Sequence, residues 1–308
     1  MNALLLKILR KTSVPLPMET MATALETSPQ TLTRLLSDLS EKGYLFKESK
    51  DGIQLIQSPD IPFPWEFPSR ELTIHYYQEI DSTMTVARRL AHSNAPDFTV
   101  VVAETQTKGR GRLERQWSSS MGGLYFTMIL RPRMESSDSF LINFLASLVL
   151  SQVLNDLFQI NAMVKWPNDI LVDEKKVAGM ISEMGATGNH IDYVNLGIGV
   201  NVNNDPQLAF PNAASIRNIL GKPVSRVILL STFIEALDLK MKQEPLDPRI
   251  IAQWKKNSMT LGREVTIATM HECFSGKAVD VDNQGALLLK TPDGDVKRII
   301  YGDCFLRD

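Results

Sequence analysis

Lys108, Arg110, Arg112 and Arg115 place four positive charges within eight residues of the segment Gln106-Thr107-Lys108-Gly109-Arg110-Gly111-Arg112-Leu113-Glu114-Arg115-Gln116-Trp117. Guanidinium groups, together with backbone N–H groups left accessible beside glycine, suit phosphate oxygens. Trp117 can stack on a base or close over an apolar ligand. The β-branched run Thr99 to Val102 before this segment and the run Leu124 to Leu130 after it predict strands. The segment is therefore a long loop between strands. It matches neither the Walker nor the Rossmann phosphate pattern, because no helix follows it. The plain alternative is a solvated basic loop.

Two further clusters carry unusual residue types. In Lys165-Trp166-Pro167-Asn168-Asp169 the chain is too irregular for a plain strand, and its polar side chains are expected to face a site. Asp173 to Lys175 reads as the turn of a hairpin between Ile170–Val172 and Val177–Ser182. In Leu196-Gly197-Ile198-Gly199-Val200-Asn201 glycines alternate along a strand, which signals that something lies against the backbone. The histidines at 75, 92, 190 and 271 show no metal-like spacing, and no Ser-His or Cys-His pairing is apparent.

Three segments must position these residues. In residues 1–60, Leu5, Ile8 and Leu9 recur at helical spacing, and Pro17 to Leu25 is a short helix. Ser28 and Pro29 then start a helix whose stripe is Leu32, Leu35, Leu36 and Leu39, and which ends at Gly43. Tyr44 to Gln57 predicts two strands around Lys50-Asp51-Gly52. This order is that of a winged helix-turn-helix, with Ser28, Gln30, Thr31, Thr33 and Arg34 as the candidate DNA-facing residues. A protein-binding helical module is the alternative, since residues 1–60 carry seven basic and seven acidic side chains. Four prolines in residues 58–69 predict a stiff linker, assigned to residues 61–69. Residues 70–258 alternate strand and helix signals, and residues 259–308 predict a small β-barrel or sandwich. The fold class is α+β and multidomain.

The 308 residues carry a net charge of -2, so any polyanion site is a local patch. Cys273 and Cys304 are too few for a disulfide framework and point to a reducing cytoplasm. The first residues read as an amphipathic helix rather than a signal peptide. Phe140 to Phe158, interrupted by Asn143, Gln152, Asn155 and Asp156, reads as a buried core helix rather than a membrane span.

Taken in order, Asp81-Ser82-Thr83, Gln106…Gly109-Arg110-Gly111-Arg112…Trp117, Lys165-Trp166-Pro167-Asn168-Asp169…Lys176…Gly179 and Gly197-Ile198-Gly199-Val200-Asn201 closely resemble biotin protein ligases. The resemblance runs through essentially the whole chain, to Phe305-Leu306-Arg307, and is to the bifunctional bacterial type, both ligase and biotin operon repressor. It implies a central mixed-sheet α/β domain of the biotin/lipoyl ligase type and a C-terminal SH3-like barrel.

The resemblance further implies that ATP and biotin form biotinyl-5′-AMP. Biotin then passes to a lysine of the biotin carboxyl carrier protein of acetyl-CoA carboxylase. Bringing a carboxylate against a phosphate costs roughly 4 kcal/mol at about 4 Å and an effective dielectric near 20. Lys176 matches the cation that removes this repulsion, and Arg112 matches the arginine of the loop that orders over the adenylate and excludes water. Ser82, Thr83, Met84, Gln106, Gly109, Arg110, Gly111, Arg112, Lys176 and Gly179 match the biotin side. Arg112, Arg115, Trp117, Asn168, Asp169, Lys176 and Asn201 match the nucleotide side, with Mg²⁺ near Asn168 and Asp169. Operator DNA and an adenylate-bound homodimer are implied as partners. Three departures stand out: Met84 replaces the usual asparagine, Leu113 and Glu114 interrupt a loop usually more basic and glycine-rich, and Glu26 stands where glycine is common. Left open are a monofunctional ligase whose N-terminal domain binds no DNA, a biotin sensor without catalysis, and a lipoyl or octanoyl transferase relative.

Overall fold

The computed structural model describes residues 1–113, 115–243 and 249–307. Glu114 lies outside them. The chain divides into two compact units, Met1–Ile74 and His75–Asp308.

In the first unit, helices α1 (Asn2–Arg10), α2 (Met18–Ala24) and α3 (Pro29–Glu41) precede an antiparallel hairpin of β1 (Leu45–Ser49) and β2 (Gly52–Gln57). Ser28 caps α3 by accepting a hydrogen bond from Thr31 N, and Gly43 takes the left-handed conformation just past the helix end. Leu5, Leu9, Met21, Leu32, Leu36 and Leu39 form the core. The proline-rich stretch behaves differently from a free linker. It makes single 3₁₀ turns at Pro64–Glu66 and Glu71–Thr73, and Trp65 stacks on Phe63 at 4.7 Å. Arg10 donates to Glu66 Oε1 at 2.8 Å and to Ser58 Oγ at 2.9 Å. Trp65 Nε1 donates to the Tyr44 hydroxyl at 2.9 Å, and that hydroxyl donates to Glu66. Burial, then the Glu66 carboxylate, pushes the Tyr44 pKa up, so the phenol remains a donor.

The second unit begins with β3 (Ile74–Ile80), α4 (Thr83–His92), β4 (Thr99–Gln106), β5 (Leu124–Leu130) and α5 (Phe140–Phe158). It continues with β6 (Met163–Lys165), β7 (Asp169–Val172), β8 (Lys175–Thr187), β9 (His190–Val200), α6 (Ile216–Leu220), α7 (Arg226–Met241) and α8 (Ile250–Lys256). Its central sheet has seven strands in the order β3-β4-β5-β9-β8-β7-β6. The strand faces alternate. Val101 and Ile129 pack under Val86, Ala87 and Ala91 of α4, whereas Phe126 points the other way and meets Phe233 of α7 at 5.7 Å. Helix α5 is the one described helix long and apolar enough to cross a membrane, yet it is a core element here. Eleven of its residues, Ile142 and Leu154 among them, are buried, and it packs against α7, α8 and the sheet.

The chain closes with β10 (Glu264–Ala268), β11 (Cys273–Val281), β12 (Leu287–Lys290), β13 (Val296–Ile299) and β14 (Asp303–Leu306), a five-stranded antiparallel sheet ordered β13-β12-β11-β10-β14. Strand β14 and the first half of β11 carry no sequence signal. They are short, and Gly276 and the pair Gly302-Asp303 read as turn residues.

Glu26 holds the left-handed backbone (φ 50°) that the turn between α2 and α3 needs. Glu26→Gly removes that strain and should stabilise the first unit by about 0.5–1 kcal/mol after the glycine entropy cost. Urea unfolding of the two forms measures this; a lower midpoint for the glycine form would contradict it.

Candidate functional site

The floor of the site is three glycines. In the β8–β9 register Gly179 lies opposite Gly199 and Ile181 opposite Gly197, and in the β5–β9 register Thr127 lies opposite Gly197. Gly179, Gly197 and Gly199 therefore share one face. The object that lies on them is the protein's own. A Cβ on Gly197 would stand 2.6 Å from Met84 Sδ, one on Gly199 2.5 Å from Trp117 Nε1, and one on Gly179 2.9 Å from Trp117 Cζ3. Above and beside this floor opens a cleft of about 720 Å³, within the range of small-ligand sites.

One end of the cleft is a hydroxyl and amide network. Thr83 donates to Gln106 Oε1 from its backbone N at 2.8 Å and from Oγ1 at 3.1 Å. Gln106 Nε2 is 2.8 Å from Ser119 Oγ, and Thr127 Oγ1 donates to Thr83 Oγ1 at 2.8 Å. Ser82, at the start of α4, lines the same cleft and is 1% exposed, yet its hydroxyl has no partner among the described residues. An unpartnered buried hydroxyl costs about 1–3 kcal/mol. A polar ligand head would satisfy it. Met84 is buried with its thioether over Gly197, so the position offers a soft apolar wall where the resembled family has an amide.

The middle of the cleft is charged. Lys176 Nζ lies 2.6 Å from Asp169 Oδ1 and 5.2 Å from the Trp117 ring centroid. Arg112 donates to Asn168 Oδ1 at 2.9 Å and to the carbonyl of Gly302 at 3.0 Å. Asn168 Nδ2 donates to Met180 O. Burial is the largest influence on Arg112 and pulls its pKa below the usual range, with Asp303 and Asp169 pulling the other way. Arginine stays charged regardless, so Arg112 is an under-solvated cation facing the cleft.

The remaining loop arginines also line the cleft but are paired with carboxylates. Arg110 meets Glu183 at 2.6 Å, and Glu183 also holds Arg88 of α4 at 2.8 Å. Arg115 pairs with Asp303. Gly109 is needed by the loop itself: a Cβ there would lie 2.3 Å from Trp117 O. Gly111 is less crowded, its N–H donating to Arg115 O at 2.7 Å. Lys108 is exposed and does not line the cleft. Asn201, on the floor face beyond Gly199, does line it.

Three groups at the cleft escaped the sequence reading. Strand β14 contributes Asp303, Cys304 and Phe305; the segment after β9 contributes Pro206, Phe210 and Asn212; and Glu183 clips the loop to α4. None carries a local motif, because each is brought in by tertiary folding. Burial pushes the Cys304 thiol up to about 11, so it acts as an inert wall. In the first unit, Ser28 and Thr31 are engaged in the α3 cap and Thr33 Oγ1 donates to Pro29 O at 3.0 Å, which leaves Gln30 and Arg34 as the polar ends without a partner among the described residues.

Gly199→Ala must displace the Trp117 indole. The expected result is a red shift in tryptophan emission together with at least tenfold weaker nucleotide binding. Unchanged emission and affinity would show that the indole does not depend on that glycine.

Residues 76–201 match the Biotin/lipoate A/B protein ligase family and residues 260–307 the Biotin protein ligase C terminal domain. The chain is 30% identical over 296 residues to the bifunctional ligase/repressor BirA of Bacillus subtilis, covering 91% of this chain and 90% of that one. It is 29% identical over 228 residues to the biotin–[acetyl-CoA-carboxylase] ligase of Paracoccus denitrificans, covering 70% and 92%. Among solved structures, the biotin protein ligase from Aquifex aeolicus in complex with biotin and ATP superposes with a TM-score of 0.65 at 31% identity, covering 76% of this chain and 98% of that one. On the extent of these matches, the chain belongs to the biotin protein ligase family.

Proposed function

We propose that the chain joins biotin to ATP and passes the activated biotin to a carrier-protein lysine. The observation that carries this is that one cleft is lined by Lys176, by the buried Ser82 hydroxyl, which has no partner among the described residues, and by Trp117 and Asn201. The hydroxyl and amide groups around Ser82 suit a polar ureido head, and Trp117 with Asn201 suits a base. In the first step a biotin carboxylate oxygen attacks the α-phosphorus, and the bond to the β-phosphate oxygen breaks to release pyrophosphate. Lys176 and Arg112 stabilise the charge that gathers between the two anions. In the second step the lysine amine of the biotin carboxyl carrier protein attacks the acyl carbon. The bond to the phosphate oxygen breaks, AMP leaves, and the nitrogen loses a proton.

Roles follow position. Ser82, Thr83, Gln106 and the backbone of Gly109 to Gly111 take the biotin head, with Met84 and Gly179 as wall and floor. Arg112, Trp117, Asn168, Asp169 and Asn201 take the adenylate. Arg110 and Arg115 act by holding the loop through Glu183 and Asp303. No three His, Cys, Asp or Glu among the described residues come together as a metal site. Asn168 Oδ1 and Asp169 Oδ1 already face Arg112 and Lys176, so a Mg²⁺ ion here would draw on their remaining lone pairs and be held mainly by phosphates and water. Such an ion would screen the departing pyrophosphate.

Residues 1–60 fit a winged helix-turn-helix, residues 61–69 its connection, residues 70–258 the catalytic domain and residues 259–308 an SH3-like domain. The cap, stripe and hairpin of the first unit support binding to operator DNA, and the ligase/repressor relatives support its use in repression. We further propose a cytoplasmic protein of which two adenylate-bound copies pair through the catalytic domain. The balanced charge of residues 1–60 means that few phosphate contacts are available, so binding should be modest and only weakly dependent on salt.

Lys176→Ala should lower biotin-dependent pyrophosphate release by about 10²–10³ while biotin binding stays within a few-fold. Retention of most of the release would remove Lys176 from the chemistry. Wild-type protein with ATP, Mg²⁺, biotin and an apo carrier domain should yield biotinylated carrier; an unmodified carrier would overturn the enzymatic reading. A gel shift on the protein's own upstream DNA, present with biotinyl-AMP and weak without it, is expected of a repressor. No shift in either condition would leave a ligase alone.

A further inference from the structure

We infer that Asn204 is a positioning residue that orients the Asn201 amide toward the nucleobase and so sets the preference for adenine. The inference rests on the proposed nucleotide end of the cleft. Asn201 is the first residue past the end of β9, two positions after Gly199, and the Trp117 indole lies on Gly199. An aromatic plane with an amide edge beside it is a site for a base: the plane stacks, and the amide reads donors and acceptors.

A terminal amide can read a base only if its oxygen and nitrogen are fixed. Asn204 Nδ2 donates to Asn201 Oδ1 at 3.0 Å, and Asn201 Nδ2 points toward the carbonyl of Lys176 at 3.5 Å. The Asn201 main chain is also locked, its N donating to Val177 O at 2.8 Å and its O accepting from Ile216 N at 3.0 Å. Side-chain orientation is thus the remaining freedom, and Asn204 removes it. One lone pair of Asn201 Oδ1 is taken by Asn204, which leaves the second lone pair and one amide hydrogen for a ligand. Adenine presents an amino donor beside a ring-nitrogen acceptor, the complement of that pair. Guanine presents the reverse order on its Watson–Crick edge and needs the amide turned over.

Asn204 is a poor choice for stability alone. It is 3% exposed, and its Oδ1 is a buried acceptor with no partner among the described residues. A leucine of similar size would remove that uncompensated carbonyl. Neighbouring Asn203 already braces the turn, exchanging hydrogen bonds with Val224 N and O at 3.0 and 2.8 Å.

The test is a double-mutant cycle read by calorimetric titration of ATP and of GTP into wild type, Asn204→Leu, Asn201→Leu and the double variant. Asn204→Leu should weaken ATP five- to tenfold, leave GTP within twofold, and add nothing further in the Asn201→Leu background. An unchanged ATP affinity in Asn204→Leu, an equal loss for ATP and GTP, or an additive loss in the double variant would each overturn the inference. Asn204→Asp, which accepts from Asn201 and turns its amide over, should narrow the ATP-to-GTP ratio even where the leucine form is poorly folded; an unaltered ratio would count against it. Biotin titrated into the same proteins should bind them all alike. Failure of the wild type to bind biotin would sink the ligase reading while the nucleotide cycle still decides the role of Asn204.

Discussion

The cleft exists because three neighbouring strand positions carry no side chain. Gly179, Gly197 and Gly199 lower the floor by the thickness of a methyl group, and Met84 and the Trp117 indole settle into that space. The indole in turn lies beside the Lys176 ammonium, a favourable cation–aromatic arrangement. The Trp117 backbone N also donates to Gly109 O at 2.9 Å, so the residue whose side chain covers the floor anchors the basic loop through its main chain. The position of the cation, the course of the loop and the shape of the cavity thus follow from backbone exposed on one sheet face.

Electrostatics sorts the cations around that floor. The molecule is close to neutral, and Arg110, Arg115 and Lys176 each face a carboxylate of the protein. Arg112 is held instead by two neutral oxygens, those of Asn168 and Gly302. Neutral acceptors orient a guanidinium without neutralising it, and burial deprives it of water. Of these four cations Arg112 is the one whose charge is best preserved for an incoming phosphate. Partially exposed pairs such as Arg110–Glu183 stabilise little in themselves; their effect is to fix where the loop backbone runs.

Much of this was legible in the sequence, for identifiable reasons. Strands β4 and β5, helices α3 and α5 and the hairpin turn at Asp173-Glu174 announce themselves through periodicity, caps and turn residues, which act over a few positions. The glycine alternation in β9 correctly signalled a close approach to the backbone. It did not say that the approaching groups are Met84 and Trp117, since that depends on the register of β8, β9 and β5. The proline-rich stretch reads as linker because proline bars regular structure, but its aromatic residues pack and its Glu66 is shared by Arg10 and Tyr44. Strand β14 was invisible because four residues paired along one edge leave no pattern. Yet β14 and the glycine just before it supply partners to two arginines of the loop.

That last contact bears on how the molecule forms. Arg112 and the Gly302 carbonyl are separated by 190 positions. Contacts between such remote segments come late, since the entropy of closing so large a loop is repaid only once the intervening elements have condensed. The central sheet can acquire its native pairing while the basic loop still lacks its anchors at Gly302 and Asp303. Secondary structure and catalytic competence are therefore acquired in separate stages of folding, with competence waiting for the terminal sheet to dock.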